Sequence, residues 1–359
     1  MPTQHQPVII FASERAANFA VAGIPAAARA VATLAGDPAW QGNQIQIAVP
    51  RGWCPSSTCT QEASRLAPGV DWEAINADDQ ATEIWIPGSD VQTEHRAPTR
   101  IRVGARSRVV PSGPPELSDL PELRGQARRI LKATGKPGDG LVSRTINRPI
   151  SRTITLVVLR WSGARPWHAT LVAALIGAVM FVALILGGET GLLLGAVLFQ
   201  LASIVDGVDG EMARATFRSS ERGAMLDSVA DAATNVSFIG GASYNLYASG
   251  AEQAGLAGAA GCCMLAVGKI ILGLQSRRDG GAFTFDALKS RFRERPSRLR
   301  QWLTYLTMRD FYAFAAFLAI IAGFAQSLLF IFVFVVAGWL AVLCWILRTP
   351  HPVTCQSKD

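Results

Sequence analysis

Four aspartates are the side chains of this sequence best placed to do chemistry. Asp206 and Asp209 lie three residues apart, and Asp227 and Asp231 lie four apart further along the chain. Residues three or four apart share a helix face, so two facing helices would bring all four carboxylates to one point. Apolar sequence flanks this stretch on both sides. Carboxylates crowded at a membrane boundary either take up protons or hold cations, and a cation site is the simpler interpretation.

The ligand atoms on offer favour particular cations. No His or Cys lies between positions 206 and 231, so the donors are oxygens. Oxygen ligands favour hard cations such as Mg²⁺ or Mn²⁺ over zinc. Gly210 and Ala213 leave room for a flat or bulky ligand beside the backbone, and Arg214 offers a planar fork that suits a phosphate. The stretch therefore predicts a metal site with an anionic ligand beside it.

The spacing of these residues resembles a family motif. Eight fixed positions carry the resemblance: Asp206, Asp209, Gly210, Ala213, Arg214, Gly223, Asp227 and Asp231. They resemble, without a gap or a substitution, the motif of the CDP-alcohol phosphotransferases. Eight positions at fixed spacing make a specific pattern, whereas a lone Asp-x-x-Asp would carry no weight. The resemblance implies an integral-membrane enzyme that transfers a substituted phosphate from a CDP-linked donor to an alcohol acceptor and releases CMP.

The resemblance also implies a role for each position. The four aspartates would hold two Mg²⁺ or Mn²⁺ ions against the donor diphosphate, and Asp231 would in addition act as general base on the acceptor hydroxyl. Pro166 and Thr170 match a Pro-Asn-x-x-Thr pattern that many relatives carry, while Trp167 replaces its Asn. The predicted CDP-binding residues are Gly210, Ala213, Arg214, Gly223 and Thr170.

Three further cations are candidates for binding an acceptor phosphate. Lys269 lies well inside an apolar run, where a charge is a functional candidate by default. Arg277 and Arg309 lie near span ends, where relatives that use phosphorylated acceptors place phosphate-binding residues. Each of the two could equally be a boundary residue whose charged end reaches the membrane surface.

The second part of the chain predicts an all-α transmembrane domain of six helices. The predicted spans are Ala169–Leu186, Gly191–Val205, Leu226–Tyr247, Gly255–Leu274, Phe311–Phe324 and Ser327–Leu347. Arginines precede the first span and fill the second and fourth connections, whereas the other connections have almost none. The positive-inside rule then places both termini and the aspartates on the cytoplasmic side of the inner membrane.

The first part of the chain predicts a small soluble α/β domain. Val8–Ala12, Ile45–Val49 and Glu83–Ile86 are predicted strands, and Ala26–Leu34 is a predicted helix. Val21–Pro25 and a later arginine faintly resemble cytidylyltransferases. A nucleotidyltransferase needs a glycine-rich loop after its first strand, and none follows here. We therefore expect a degenerate, inactive nucleotidyltransferase-like domain with a structural or regulatory role.

A basic segment joins the two parts. Residues 136–151 closely resemble the junction of fused enzymes that pair a cytidylyltransferase with a di-myo-inositol-phosphate-phosphate synthase domain. Arg144, Arg148 and Arg152 recur every fourth position among apolar residues, which predicts a helix along the bilayer surface. A solvated basic linker remains the alternative. The predicted layout is a soluble domain at 1–115, this linker and interfacial helix at 116–165, the span domain at 166–350 and a cytoplasmic tail at 351–359.

Composition and charge narrow the partners and the alternatives. The formal net charge of +7 could suggest nucleic acid, but the arginines flank apolar spans, so we expect anionic lipids and no nucleic acid. The six cysteines are predicted to be free thiols, as is usual in the cytoplasm. The family resemblance implies a homodimer. Two other functions stay open, a catalytically dead membrane scaffold and an ion-coupled transporter, although a transporter would place its carboxylates nearer the bilayer midplane.

Overall fold

A computed structural model gives the fold as two compact units, which are described separately. The first comprises Met1–Pro137, Arg152–Arg165 and Glu211–Arg218, and the second comprises Gly138–Ser151, Pro166–Gly210 and Ser219–Asp359. The structure describes residues 8–11, 13–36, 45–49, 53–76, 84–85, 107–108, 119–136, 139–161, 163–278 and 309–348. The predicted domain boundaries at 115, 165 and 350 remain predictions. The predicted cytoplasmic tail lies outside the described residues.

The first unit contains a parallel three-stranded sheet. Its strands are β1 (Val8–Ile10), β4 (Ile45–Val49) and β5 (Trp72–Asn76), in the order β1-β4-β5. Both pairings are parallel, with Ile9 beside Ile47 and Ile47 beside Ala74. Parallel strands need crossover connections, and helices α2 (Ala26–Ala35) and α3 (Ser57–Leu66) lie in the two crossovers. A small α/β region at the start of the chain is therefore confirmed.

The remaining elements of this unit are short, apart from one helix. They are α1 (Glu14–Ala17), β2 (Ala20–Val21), β3 (Ile24–Pro25), β6 (Ile84–Trp85), β7 (Ser107–Arg108) and α4 (Asp119–Ala133). The predicted strand at Glu83–Ile86 is present as β6, but β6 pairs antiparallel with β7 in a separate two-stranded sheet and not in the main sheet. β5 takes the third place instead. Its sequence Trp-Glu-Ala-Ile-Asn mixes polar and apolar residues, so no buried strand was predicted there.

The second unit is helical. Residues 141–158 form one continuous helical segment, with a π-helical turn at Ser143–Asn147 followed by α5 (Arg148–Val158). In the described residues after α5, the helices are α6 (Pro166–Leu186), α7 (Gly188–Ala215), α8 (Glu221–Ala248), α9 (Glu252–Arg278), α10 (Arg309–Ile321) and α11 (Ala325–Arg348). Most of α5, from Arg152 onward, and the end of α7, from Glu211 onward, belong to the first unit.

Four of these helices are long and apolar enough to cross a membrane. The qualifying segments are Pro166–Leu186, Gly188–Ala215, Glu252–Gln275 and Ala325–Cys344. Helices lie at all six predicted positions, but the count of six spans is not confirmed. α8 has 28 residues and carries buried polar side chains such as Asn235 and Asn245, while α10 has 13 residues in the described part of the chain. The chain is thus a membrane protein with at least four candidate spans.

Close helix packing in the second unit depends on glycines and aromatic rings. The rings of Phe199 on α7 and Phe238 on α8 are stacked with centroids 4.0 Å apart. A Cβ atom at Gly195 would lie 2.4 Å from a methyl of Leu184, and one at Gly268 would lie 2.2 Å from the ring of Trp339. Small residues let helices approach in this way inside a membrane, where dispersion between backbones drives association.

An asparagine closes the turn between the first two long helices. Asn245 on α8 is buried, and its Nδ2 donates to the carbonyl oxygens of Leu184 at 2.7 Å and Gly188 at 2.8 Å. Leu184 lies in the last turn of α6, where carbonyl oxygens lack partners within the helix, so the amide of Asn245 satisfies an acceptor at this helix end. This contact explains one of the polar residues that lower the hydropathy of α8.

The described cysteines differ in reactivity. Cys54 and Cys59 are both free thiols, with Cys54 exposed and Cys59 buried. Burial raises the pKa of Cys59 to about 11, so at pH 8 it stays in the unreactive thiol form. We expect iodoacetamide at pH 8 to alkylate Cys54 in the native protein and to reach Cys59 only after unfolding. Mass spectrometry of the peptides checks this. Equal native labelling of both residues would contradict the burial of Cys59.

Candidate active site at the ends of two helices

Two helices carry the predicted acidic residues. Asp206 and Asp209 lie in the second half of α7, and Asp227 and Asp231 lie in the first half of α8. Ser220 is the N-cap of α8, and its side chain accepts a hydrogen bond from the backbone N–H of Gly223 at 3.1 Å. A serine at this position satisfies an N–H that has no partner in the first turn of a helix. Local sequence therefore fixes where α8 begins relative to its aspartates.

Three of the four aspartates converge. Oxygen atoms of Asp206, Asp227 and Asp231 lie within 4.8 Å of one another, and all three side chains are half-buried. The spacing in the sequence predicted that all four carboxylates would converge, so Asp209 is the exception. The donor set consists of carboxylate oxygens, which suits a hard divalent cation. The structure thus contains an aspartate cluster fit for metal binding.

Asp209, the fourth aspartate, makes a different contact. It is buried, and Thr170 Oγ1 on α6 donates a 2.6 Å hydrogen bond to its Oδ2. Thr170 was predicted to contact the CDP-linked donor, and that role remains a prediction. Its observed contact fixes one oxygen of a carboxylate that lies one helical turn beyond Asp206. The hydrogen bond therefore links α6 to the acidic face of α7.

We expect Thr170→Val to weaken the site through Asp209. A hydrogen bond to a charged group contributes about 1.5–3 kcal/mol, so its loss corresponds to a roughly 10- to 100-fold loss of function at the site. The measurements are turnover and the Mg²⁺ concentration that gives half-maximal turnover. Thr170→Ser keeps the hydroxyl and is expected to behave like the wild type. Equal behaviour of the Val and Ser variants would contradict a role for this hydrogen bond.

An arginine balances part of the negative charge. Arg309 opens α10, and its Nη1 lies 3.1 Å from Asp206 Oδ1 and also pairs with Asp231 Oδ1. Its side chain is only 9% exposed. Three carboxylates and one guanidinium leave two formal negative charges in the cluster, which one divalent cation would neutralise. Arg309 was predicted to bind an acceptor phosphate, and the structure places it against the acidic cluster.

A polar network supports the start of α10. Ser203 Oγ donates to Asp310 Oδ1 at 3.3 Å, and Asn147 Nδ2 donates to Ser203 Oγ at 3.4 Å. Gln200 Nε2 donates to Asn147 Oδ1 at 2.9 Å. Ser203 lies one turn before Asp206 on α7, and Asp310 follows Arg309 directly. The sequence argument missed this network, although two polar residues inside an apolar span were a usable signal.

Arg148 is a further charged residue beside the acidic motif. It was expected to face lipid phosphates or the active site. Its side chain is 10% exposed and pairs with Asp139 at 2.9 Å, and its Nη1 donates to the carbonyl oxygen of Gly207 at 3.4 Å. Gly207 follows Asp206, and a Cβ there would lie 3.3 Å from Arg148 Nη1. Arg148 therefore contacts the backbone of the acidic motif.

The other predicted site residues are distributed along the helices. Gly210 and Ala213 are half-buried on α7, and Gly223 is exposed in the first turn of α8. Arg214 belongs to the first unit, where its Nε donates to the carbonyl oxygen of Thr134 at 2.8 Å. Lys269 is half-buried in α9. Arg277 lies in the last turn of the same helix, and its side chain lies outside the described residues.

Comparison with known proteins identifies part of the chain. Residues 165–278 match the family model described as CDP-alcohol phosphatidyltransferase. This range contains the eight motif positions together with Thr170, Lys269 and Arg277. Arg309 lies beyond it. The match confirms the resemblance on which the site assignment depends.

Several curated relatives share the name bifunctional IPC transferase and DIPP synthase. One from Thermococcus kodakarensis is 33% identical over 194 residues, which is 53% of this chain and 42% of the relative. One from Archaeoglobus fulgidus is 36% identical over 111 residues, 31% of this chain and 21% of the relative. One from Aquifex aeolicus is 37% identical over 123 residues, 34% of this chain and 27% of the relative.

The matched region spans less than half the length of each of these relatives. Their bifunctional names agree with the fused layout that the junction sequence indicated. The motif, the aspartate cluster and the family match all point to the same part of the chain. Residues 165–278 therefore resemble a CDP-alcohol phosphatidyltransferase domain, over a part of the chain that contains the aspartate cluster.

Proposed function

We propose that this protein is a CDP-alcohol phosphotransferase that moves a substituted phosphate from a CDP-linked donor to an alcohol and releases CMP. The observation that carries the proposal is the cluster of Asp206, Asp227 and Asp231 within a domain of this family. A diphosphate carries negative charge, so it needs cations where these carboxylates would otherwise repel it. The cluster supplies the ligands for such cations.

The metal ligands in this proposal are Asp206, Asp209, Asp227 and Asp231, which would hold Mg²⁺ or Mn²⁺, with two ions as the expected number. The bound ions would neutralise the donor diphosphate and make CMP a better leaving group. Thr170 fixes the orientation of Asp209 through their hydrogen bond. Gly210, Ala213, Arg214 and Gly223 are proposed to contact the cytidine and the diphosphate.

Asp231 is proposed as the general base. A hydroxyl is a poor nucleophile near neutral pH, so a carboxylate within hydrogen-bond reach accelerates its attack by about 10²–10⁴-fold. In the proposed step the acceptor hydroxyl gives its proton to Asp231, and its oxygen bonds to the β-phosphorus in line with the leaving group. The bond from that phosphorus to the oxygen bridging the two phosphates breaks, and CMP leaves.

The acceptor is proposed to be a phosphorylated polyol of the inositol-phosphate type. Arg309 supports this proposal, because a buried guanidinium beside the base can receive an acceptor phosphate by exchanging its carboxylate partners for it. The names of the relatives also support inositol-phosphate chemistry. Lys269 and Arg277 are the further candidates for contacting that phosphate. CDP-diacylglycerol and CDP-linked alcohols are both candidate donors.

The membrane arrangement follows from charge. We propose six spans, with α8 and α10 joining the four helices that qualify by length and apolarity. Arginines near the α7 to α8 connection favour a cytoplasmic active site and cytoplasmic termini. CDP-linked donors and Mg²⁺ are available on that side. A homodimer and binding of anionic lipids by the basic connections are proposed with this arrangement.

Release of CMP is the direct test. Purified protein is incubated with Mg²⁺, a panel of CDP-linked donors and either inositol phosphate, glycerol phosphate or serine, and mass spectrometry identifies the products. The expected result is CMP together with a phosphodiester of one acceptor. Donor hydrolysis without acceptor consumption would remove the acceptor assignment. An absence of CMP with every donor would overturn the enzyme proposal and favour a membrane scaffold.

A further inference from the structure

Side chains of the first unit form hydrogen bonds with the end of α7 and the turn that follows it. Residues Glu211–Arg218 belong to this unit, although the rest of α7 belongs to the other. Arg29 on α2 donates from Nη2 to the carbonyl oxygen of Ala215 at 2.8 Å. Arg65 on α3 donates to the carbonyl oxygens of Thr216 at 2.8 Å and Phe217 at 3.2 Å. Two arginines thus bind three consecutive carbonyls.

These contacts supply hydrogen-bond donors to carbonyl oxygens at the C-terminus of α7. The last carbonyls of a helix have no partner within it and carry partial negative charge, so cationic donors stabilise them. Arg29 is half-buried, and it also donates to the carbonyl oxygen of Val21 at 3.0 Å. Burial and the nearby Arg65 lower the pKa of Arg29 to about 10, so it remains cationic at neutral pH. The contacts therefore persist under physiological conditions.

The turn after α7 has an unusual backbone that the first unit stabilises. Phe217 has φ +52°, a left-handed conformation that costs a non-glycine residue about 1–2 kcal/mol. The backbone N–H of Arg218 bonds back to the carbonyl oxygen of Ala213 at 2.8 Å, which closes the helix end. The guanidinium of Arg29 lies over the Phe217 ring, 5.5 Å from its centroid.

Ion pairs, a close approach of the backbone and a buried hydrogen bond add to these contacts around the turn. Glu62 on α3 pairs with Arg218 and also with Arg65, its Oε2 lying 2.6 Å from the Arg65 Nη2. A Cβ at Gly23 would lie 3.0 Å from the methyl of Thr216, so the chain approaches this turn as closely as a glycine allows. Thr155 Oγ1 donates to Glu211 Oε2 at 2.9 Å, and both residues are fully buried.

The turn at residues 216–220 separates the two halves of the acidic motif. α7, which carries Asp206 and Asp209, ends at Ala215, and α8, which carries Asp227 and Asp231, begins at Glu221. A connection this short transmits its conformation to the helices on both sides, because few backbone dihedrals are available to absorb a change. The spacing between the two pairs of aspartates therefore depends on the conformation of residues 216–220.

We propose that the first unit is a positioning clamp, in which Arg29, Glu62 and Arg65 fix the turn after α7 and thereby the separation of the two halves of the metal site. This role needs no nucleotide chemistry from the α/β domain. The three residues are positioning residues, since they act through the turn and not on a substrate. The catalytic consequence of the clamp rests on the proposed function, whereas its effect on the turn and on metal binding does not.

The test uses full-length purified protein in detergent. Arg65→Met and Glu62→Gln are the main variants, because both side chains are partly exposed and their loss leaves Arg29 in place. Hydrogen exchange of the peptide covering residues 211–220 is expected to rise about 10-fold or more in each variant. Arg65→Lys keeps a cation and is expected to recover part of the protection. Arg15→Met and Glu14→Gln, exposed on α1, are the matched controls.

Two further readouts separate positioning from simple destabilisation. The Mn²⁺ concentration for half-maximal thermal stabilisation is expected to rise about 10-fold in Arg65→Met, while the thermal midpoint without metal changes little. The kcat of CMP release per folded molecule is expected to fall by a similar factor, and the KM for the donor is expected to stay within about 2-fold.

The outcomes are distinguishable from those of the proposed function. Protected amides at 211–220 in Arg65→Met would overturn the clamp, as would raised exchange with unchanged metal binding. If the wild type releases no CMP, the enzyme proposal fails, and hydrogen exchange with Mn²⁺ stabilisation still decides the clamp. A lowered thermal midpoint with unchanged Mn²⁺ affinity would show a purely structural contact and would also overturn it.

Discussion

Replacing Asp231 with asparagine is expected to reduce CMP release by about 10²–10⁴-fold while the CDP-linked donor still binds. Asparagine has nearly the same shape as aspartate, so α8 and the neighbouring Asp206 and Asp227 keep their positions. The asparagine side chain cannot take the proton from the hydroxyl of the acceptor substrate, because an amide is not a base at neutral pH. The measurements are single-turnover CMP release and donor binding by calorimetry in the presence of Mg²⁺.

Asp231 is also a proposed metal ligand, so the experiment must separate the two roles. Loss of a ligand is expected to raise the Mg²⁺ concentration needed for activity, whereas loss of the base persists at saturating Mg²⁺. Glu221→Gln, in the exposed first turn of the same helix, removes a carboxylate of no assigned role and is expected to leave turnover unchanged. Near-normal turnover of Asp231→Asn at saturating Mg²⁺ would refute the base assignment.

The acidic motif could be predicted from sequence because its geometry is local. Asp227 and Asp231 share a helix face by their spacing alone, and apolar runs on either side indicated the helices that carry them. We inferred that α7 and α8 face each other because crowded carboxylates are stable only when they share bound cations or protons. Asp206 converges with Asp227 and Asp231, whereas Asp209, which was expected at the same point, contacts Thr170 instead.

The contacts that complete the site depend on tertiary structure. Thr170 was assigned to the donor from a family pattern, and nothing in its local sequence indicated a hydrogen bond to Asp209, 39 residues away. Arg309 follows Asp206 by more than a hundred residues, so spacing rules say nothing about their ion pair. Strand β5 was not predicted for a related reason, because its position depends on pairing with β4 and not on the periodicity of its own sequence.

The division of α7 between two compact units could not be predicted from contiguous sequence. Residues 188–215 form one helix, yet the segment from Glu211 onward packs with the α/β region. Arg29 and Arg65, which donate hydrogen bonds to carbonyl oxygens at the end of α7 and in the turn after it, lie in helices that are ordinary by composition. In the proposed clamp, a domain with no glycine-rich loop after its first strand would act through the few side chains that contact the turn after α7.

The net negative charge of the aspartate cluster predicts that removal of the metal abolishes activity. Asp206, Asp227 and Asp231 together with Arg309 leave two formal negative charges in a half-buried site. Repulsion of that kind is relieved by a divalent cation, and a metal that stabilises a transferring phosphate contributes several kcal/mol. Removal of metal with EDTA is therefore expected to abolish CMP release, and Mg²⁺ or Mn²⁺ is expected to restore it.

Asp206→Asn is expected to reproduce the metal-free behaviour in the presence of metal. The substitution removes one negative charge and one ligand oxygen, and it leaves Arg309 to pair with Asp231 alone, so turnover should fall by about 10³-fold or more. Thermal unfolding gives a readout independent of activity: Mn²⁺ at 100 times its dissociation constant should stabilise the wild type by about 2.7 kcal/mol and the variant far less. Glu189→Gln, exposed in the first turn of the same helix, is the control and should retain the full Mn²⁺ effect. Equal stabilisation of Asp206→Asn and the wild type by Mn²⁺ would show that the ion binds elsewhere.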